Sequence, residues 1–98
     1  MTKTRAPSRG SQFPPRVVFD NNASELATLV EVVAQDRPGL LYDLSAAITE
    51  NGCNIDVVLI ETEAHRALDV FYLAAASRKL DDGLCSRLEA VLLRACSA

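Results

Sequence analysis

From Arg16 onward the chain alternates between two rhythms, one of period two and one near 3.6. Arg16-Val17-Val18-Phe19 is a short strand candidate, and Asp20-Asn21-Asn22-Ala23-Ser24 is turn chemistry, because Asn and Asp bond their own backbone and tolerate positive φ. Leu26 to Ala34 is nearly all apolar at Leu29, Val30, Val32 and Val33, the mark of a central strand covered on at least one face. Leu40, Leu41, Leu44, Ala47 and Ile48 then share one helical face, while Asp43, Thr49 and Glu50 point away, which predicts a helix from about Pro38 to Asn51. Asn51-Gly52 stops it, with Gly52 suited to a left-handed position just past the helix end. Asn54 to Thr62 and Ala67 to Ala74 return to period two, separated by the turn Glu63-Ala64-His65-Arg66. After a loop at Ser77 to Leu80, Asp81 or Asp82 can cap a last helix with its apolar stripe at Leu84, Leu88, Val91, Leu92 and Ala95.

The predicted order is ββαββα, an α+β two-layer sandwich. In the fourth strand Leu68, Val70 and Tyr72 fall on one face and Ala67, Asp69, Phe71 and Leu73 on the other. Two helices cover one face of a four-stranded sheet, so the second apolar face calls for a partner, most simply another copy of the chain. Val57, Leu59, Ala67, Phe71 and Leu73 are the residues expected there.

Composition narrows the class. Ninety-eight residues, 49% of them apolar, suit one domain. Residues 1–15 hold Ser, Thr, Gly, Gln, Arg and prolines and are expected to be a disordered leader or linker, leaving residues 16–98 as the domain. No apolar run reaches the roughly 18 residues of a membrane span. The polar, basic N-terminus is not a secretory signal. Cys53, Cys85 and Cys96 are odd in number and lack C-x-x-C spacing, which favours free thiols, a reducing cytoplasm and no zinc. The net charge is −3, and four of the ten basic residues (Lys3, Arg5, Arg9, Arg16) precede the first acid. The body is therefore acidic and a poor nucleic-acid binder. His65, the single histidine, sits in a polar turn without Cys or His at ligand spacing and reads as a surface residue. No nucleophile-elbow Ser and no second His exist for a triad, and no cofactor is implied.

The chemistry concentrates where the central strand meets the first helix, at Gln35-Asp36-Arg37-Pro38-Gly39-Leu40-Leu41. Pro38 suits the first helical turn, Asp36 can cap it, and Gly39 lets another chain or a ligand approach the backbone. A helix N-terminus with free N–H groups is a site for a carboxylate or phosphate. A well-capped turn without a ligand accounts for the same residues.

Asp36-Arg37-Pro38-Gly39-Leu40-Leu41 resembles the first loop of ACT domains. With Phe19-Asp20-Asn21-Asn22-Ala23-Ser24 and Leu68-Asp69-Val70-Phe71-Tyr72, the chain is similar, over roughly residues 15 to 95, to the C-terminal ACT domains of uridylyltransferases that modify the PII nitrogen-signalling protein. The resemblance implies a ferredoxin-like sheet, with Arg16 to Asp20 taking the place of the usual last ACT strand. It implies a regulatory domain without catalysis of its own, a homodimer through the sheet, and an amino acid bound between subunits, glutamine in the uridylyltransferases. Carried over, the ligand-binding positions are Asp36, Arg37, Pro38, Gly39, Leu40 and Leu41 in the loop and Asn54 and Ile55 after the helix. The chain is expected to be a free-standing ACT protein or the terminal part of a larger sensor. Ala64 stands where the family usually has Gly, and Val57 and Leu59 where relatives are often small or polar. Two other readings stay open: a dimerisation module without ligand, and a small acylphosphatase-like enzyme holding a phosphoryl group with Arg37 and Asn54.

Overall fold

The computed structural model describes residues 14–97, so most of the expected leader, residues 1–13, lies outside the described residues. The elements are β1 (Arg16–Asp20), β2 (Thr28–Gln35), α1 (Leu40–Glu50), β3 (Asn54–Glu63), β4 (Arg66–Ala74) and α2 (Asp82–Ser97). They make one four-stranded antiparallel sheet in the order β1-β2-β4-β3, with ββαββα connectivity, consistent with a ferredoxin-like ACT fold. β1 runs antiparallel to β2, Arg16 facing Val33 and Asp20 facing Leu29, and so occupies the edge expected of it.

Burial alternates along the inner strands. Thr28, Val30, Val32 and Ala34 of β2 and Ala67, Asp69, Phe71 and Leu73 of β4 face inward, against Leu40, Leu44 and Ile48 of α1 and Leu84, Leu88 and Leu92 of α2. Phe71, Leu44, Ile48, Leu73, Leu88 and Leu92 are the largest fully buried side chains. This corrects one expectation: Ala67, Phe71 and Leu73 belong to the core under the helices, not to the open face. There Tyr72 and Val70 pair with Val57 and Leu59 of β3, and Leu68 with Glu61.

β3 departs from strict alternation. Ile55 pairs with Leu73 and Val57 with Tyr72, so Asp56 is the extra residue of a bulge and Ile55 and Val57 face opposite ways. Beyond the bulge the strand is apolar on both faces and covered on neither: Val57, Val58, Leu59 and Ile60 are 46%, 39%, 55% and 54% exposed.

The connections follow their side chains. Ser24 Oγ accepts from the amides of Leu26 and Ala27, and Asp20 Oδ1 from that of Asn22. α1 ends on Gly52 at φ 82, with Cys53 N–H donating to Ile48 O and Gly52 N–H to Thr49 O, the paired bonds of a Schellman end. Asp81 Oδ1 accepts from Leu84 N–H at 2.8 Å and caps α2. Ala64 holds φ 56, the left-handed conformation that an alanine adopts at a cost of about 1 kcal/mol.

Candidate functional site

The segment Asp36 to Leu41 turns the chain from β2 into α1 with a geometry unlike the expected cap. Gly39 itself is the N-cap residue, at φ 81, and no side chain bonds the helix start. Leu40 N–H donates to Arg37 O and Asp43 N–H to Gly39 O. Pro38 therefore precedes the helix instead of opening it. Asp36 is exposed, and its own amide donates to His65 O at 2.7 Å, joining the loop to the β3–β4 turn. Two amides of the first turn, those of Leu41 and Tyr42, find no acceptor among the described residues. The reason Gly39 is glycine is its φ: a Cβ there would meet only Arg37 Nη1 at an ordinary 3.7 Å.

Arg37 is spent on structure. Its Nη2 donates to Asp43 Oδ2 at 2.8 Å and to Ala95 O at 2.7 Å, and its Nη1 to Pro38 O at 3.2 Å. One guanidinium thus ties the loop to the first turn of α1 and places positive charge on the C-terminal carbonyls of α2, where the helix dipole favours it. Its Nε is buried and has no partner among the described residues.

Sequence reasoning placed one further buried group on a face but gave it no role. Asp69 is 3% exposed, on the helix-bearing face of β4. No hydrogen bond or ion pair from a described residue reaches its carboxylate. Burial pushes its carboxyl above the usual range, and the charge of Asp36 pushes it further the same way. Cys96, near the end of α2, belongs to the same neighbourhood: burial pushes its thiol up, Arg37 draws it down and Asp69 pushes it up again.

Leu40 is buried and Leu41 half-buried, so of the loop residues Asp36, Pro38 and Gly39 present the open surface. Asn54 and Ile55 lie elsewhere. Asn54 pairs with Ala74, while Glu63, at the other end of β3, pairs with Arg66, which faces Gln35 beside the loop. Nine residue steps separate Asn54 from that end, roughly 30 Å of strand. A single chain does not bring the two halves of the expected site together. Arg37 and Asn54, the pair that a phosphoryl-handling enzyme required, do not meet either.

Comparison with known proteins agrees with this architecture. The ACT domain family model matches residues 28–82, from the start of β2 to the start of α2. The chain is 47% identical over 77 residues to the bifunctional uridylyltransferase/uridylyl-removing enzyme of Azospirillum brasilense, an alignment covering 74% of this chain and 8% of that enzyme. It is 46% identical over 65 residues to the enzyme of the same name from Gluconobacter oxydans, covering 66% of this chain and 7% of the relative. For the Zymomonas mobilis enzyme the values are 46% over 68 residues, 67% and 7%. The chain spans less than a tenth of the length of these relatives, which are whole enzymes. ACT domains are regulatory modules and not catalytic ones. By the family match and by the sheet order, cap and loop described above, the chain belongs to the ACT domain family.

Proposed function

We propose that this domain is an amino-acid sensor, and that its ligand lies on the loop Asp36 to Leu41 with its carboxylate on the free amides of Leu41 and Tyr42. Those two unpartnered N–H groups at the start of α1 are the observation that carries the reading, since a helix N-terminus attracts an anion. Glutamine is the first candidate. The relatives are uridylyltransferase/uridylyl-removing enzymes, and a domain of this kind would report nitrogen status to a uridylylating enzyme in the cytoplasm.

The exposed run Val57–Ile60 completes the proposal. It is centred on the middle of β3, and β3 is an edge of the sheet. An exposed apolar edge strand is a template for pairing with another chain. Antiparallel pairing of two β3 strands about Leu59, with the bulged Asp56 skipped, is self-complementary, as a twofold dimer requires. It sets Asn54 of the partner subunit opposite Glu63 and Ile55 of the partner subunit opposite Thr62, at the loop end of the first chain. The two separated halves of the expected site then meet across the dimer.

A thermal-shift screen of the twenty amino acids tests the ligand. A ligand at 100 times its Kd stabilises by about 2.7 kcal/mol, which for a domain of this size raises Tm by roughly 10 °C or more. Gly39→Asn keeps the left-handed conformation within reach of the new residue and covers the amides, so it should abolish the shift while the unliganded Tm changes little. No response to any amino acid would favour a dimerisation module without ligand. Light scattering at tens of micromolar should give a dimer mass that Leu59→Asp reduces to a monomer mass without unfolding; a monomeric wild type removes the pairing.

A further inference from the structure

The sheet has one covered face and one open face. α1 and α2 pack on the side of Val30, Val32 and Phe71, and no described element crosses the other side. Residues paired across neighbouring strands share a face, so the register gives the open side directly. Glu31 stands there between Val18 of β1 and Val70 of β4, and Val70 faces Leu59 of β3. The row on one side of it is Leu29, Tyr72 and Val57, and on the other Val33, Leu68 and Glu61. Val57 and Leu59 are exposed, and Val70, Tyr72 and Leu68 are only half-buried. A shallow groove of about 340 Å³ is lined by Leu59, Ile60, Glu61, Leu68 and Val70. A hollow of about 80 Å³ continues it past Glu61 and Leu68 to Glu63 and Arg66. Edge pairing of two β3 strands joins backbones in the plane of the sheet, so it leaves this face open in both copies.

Three properties of the face define what fits it. Its strands have their backbone groups paired within the sheet, so a chain lying on it must satisfy its own, as a helix does. Its centre is apolar, like the inward face that α1 and α2 cover with leucine stripes. Its charge is acidic: Asp20, Glu31, Glu61 and Glu63 outnumber Arg16 and Arg66, and Arg66 faces Glu63. Glu31 and Glu61 make no ion pair among the described residues. A second copy laid face to face would bring two acidic surfaces together, and like charges across an interface oppose it. We infer that the open face of the sheet docks a basic amphipathic helix from a protein segment outside this domain, its apolar stripe on Leu59, Val70 and Tyr72 and its Lys or Arg side chains on Glu31 and Glu61. Apolar contact supplies the affinity, and the two carboxylates select the charge of the helix and fix its register. A ligand at the Asp36–Leu41 loop is not required for this docking.

The probes are two synthetic helical peptides with leucines spaced i, i+3, i+4 and i+7, one carrying lysines beside the leucine stripe and the other glutamates in their place. Fluorescence anisotropy with the whole chain should show the lysine peptide binding at least tenfold more tightly. Glu31→Gln combined with Glu61→Gln should weaken it at least fivefold. Glu50→Gln combined with Glu89→Gln, at exposed acids on the two helices, should leave it within twofold. Glu31→Lys combined with Glu61→Lys should reverse the preference between the peptides, and Val70→Lys should abolish binding of the lysine peptide. If Val70→Lys does not fold, the peptide pair and the charge variants, all at exposed positions, decide. Equal weakening in the two double glutamine variants means attraction to net charge alone and overturns the inference. A wild type that binds neither peptide, or both alike, overturns it too. So does a wild-type oligomer that Val70→Lys dissociates, because a second copy then occupies the face.

Discussion

Two buried polar groups, Thr28 and Asp69, sit at different heights of the same sheet and are treated in opposite ways. Thr28, at the start of β2, is 0% exposed, and both roles of its hydroxyl are used. It donates to Asn21 Oδ1 and accepts from Leu80 N–H at 2.9 Å. Asn21 Nδ2 donates in turn to Leu80 O, and Lys79 Nζ donates to Asn21 O at 2.6 Å. This network closes the gap between the β1–β2 loop and the loop before α2. Asp69, in the middle of β4, is nearly as buried and has no such network among the described residues. A complete set of partners marks a polar group that holds the fold. Where that set is missing, burial raises the carboxyl and the charged group costs stability instead of supplying it.

The largest effect expected of this contrast is at Thr28. Thr28→Val keeps the shape, removes the hydroxyl and strands the buried Leu80 amide and the Asn21 side chain. Leaving a buried donor unmatched costs about 2 kcal/mol, or roughly 10 °C in Tm, readable by urea or thermal denaturation. A variant as stable as the wild type would show that the network is incidental and that completeness of partners does not separate the two groups.

Asp69 should behave in the opposite sense, and its pH dependence has a definite sign. Its carboxyl titrates above the ordinary 3.8 in the folded chain, so between that value and the folded one the folded state holds the proton that the unfolded state has released. Stability contributed by this group is complete below the ordinary value and is lost as pH rises through the folded one. Asp69→Asn removes that loss. Its advantage over the wild type, smaller than the Thr28 deficit, should grow with pH from about 4 and then level off. Denaturation midpoints of both proteins across this range check it. A variant less stable than the wild type at neutral pH would mean that the charged carboxylate is already satisfied in the empty domain.

Much of this was legible because local signals and global pattern agreed. Period-two runs and one amphipathic face gave the sheet and α1. Gly52 ended the helix as its lack of a Cβ allows, and Asp20, Asn22 and Ser24 lie where the β1–β2 turn bonds its own backbone. Alternation even placed Asp69 on the face with Phe71. Three things were hidden. The bulge at Asp56 shifts one residue of an otherwise apolar run, and nothing in that run marks where the register slips. Whether an inward Asp has partners depends on side chains from β2, α1 and α2, which no local window contains. The left-handed Gly39 moved the N-cap three residues past Asp36, because a single positive φ redirects the chain before the first helical bond forms.

The smallest expected effect separates two aspartates that the sequence presents alike. Asp36 and Asp81 each precede an apolar helical stripe, and either would serve as an N-cap by residue type. Asp81 does so, through Leu84 N–H at 2.8 Å. Asp36 bonds no amide of α1 with its side chain, and what it contributes to the fold is its backbone N–H to His65 O, which any residue but proline can supply. Asp81→Ala should therefore cost about 1 kcal/mol, the usual loss of a side-chain cap. Asp36→Ala should change stability by less than about 0.5 kcal/mol, as surface substitutions do. Its small effect has a direction: removing a negative charge near Asp69 relieves part of the repulsion that pushes that carboxyl upward, so the variant should be slightly more stable, and more so near neutral pH. Paired denaturation curves of the two alanine variants at pH 7 measure this. Equal losses at both positions would restore Asp36 as a cap and place the start of α1 nearer Pro38; the amides left free for a ligand would then be fewer, and the site would have to be sought elsewhere on the loop.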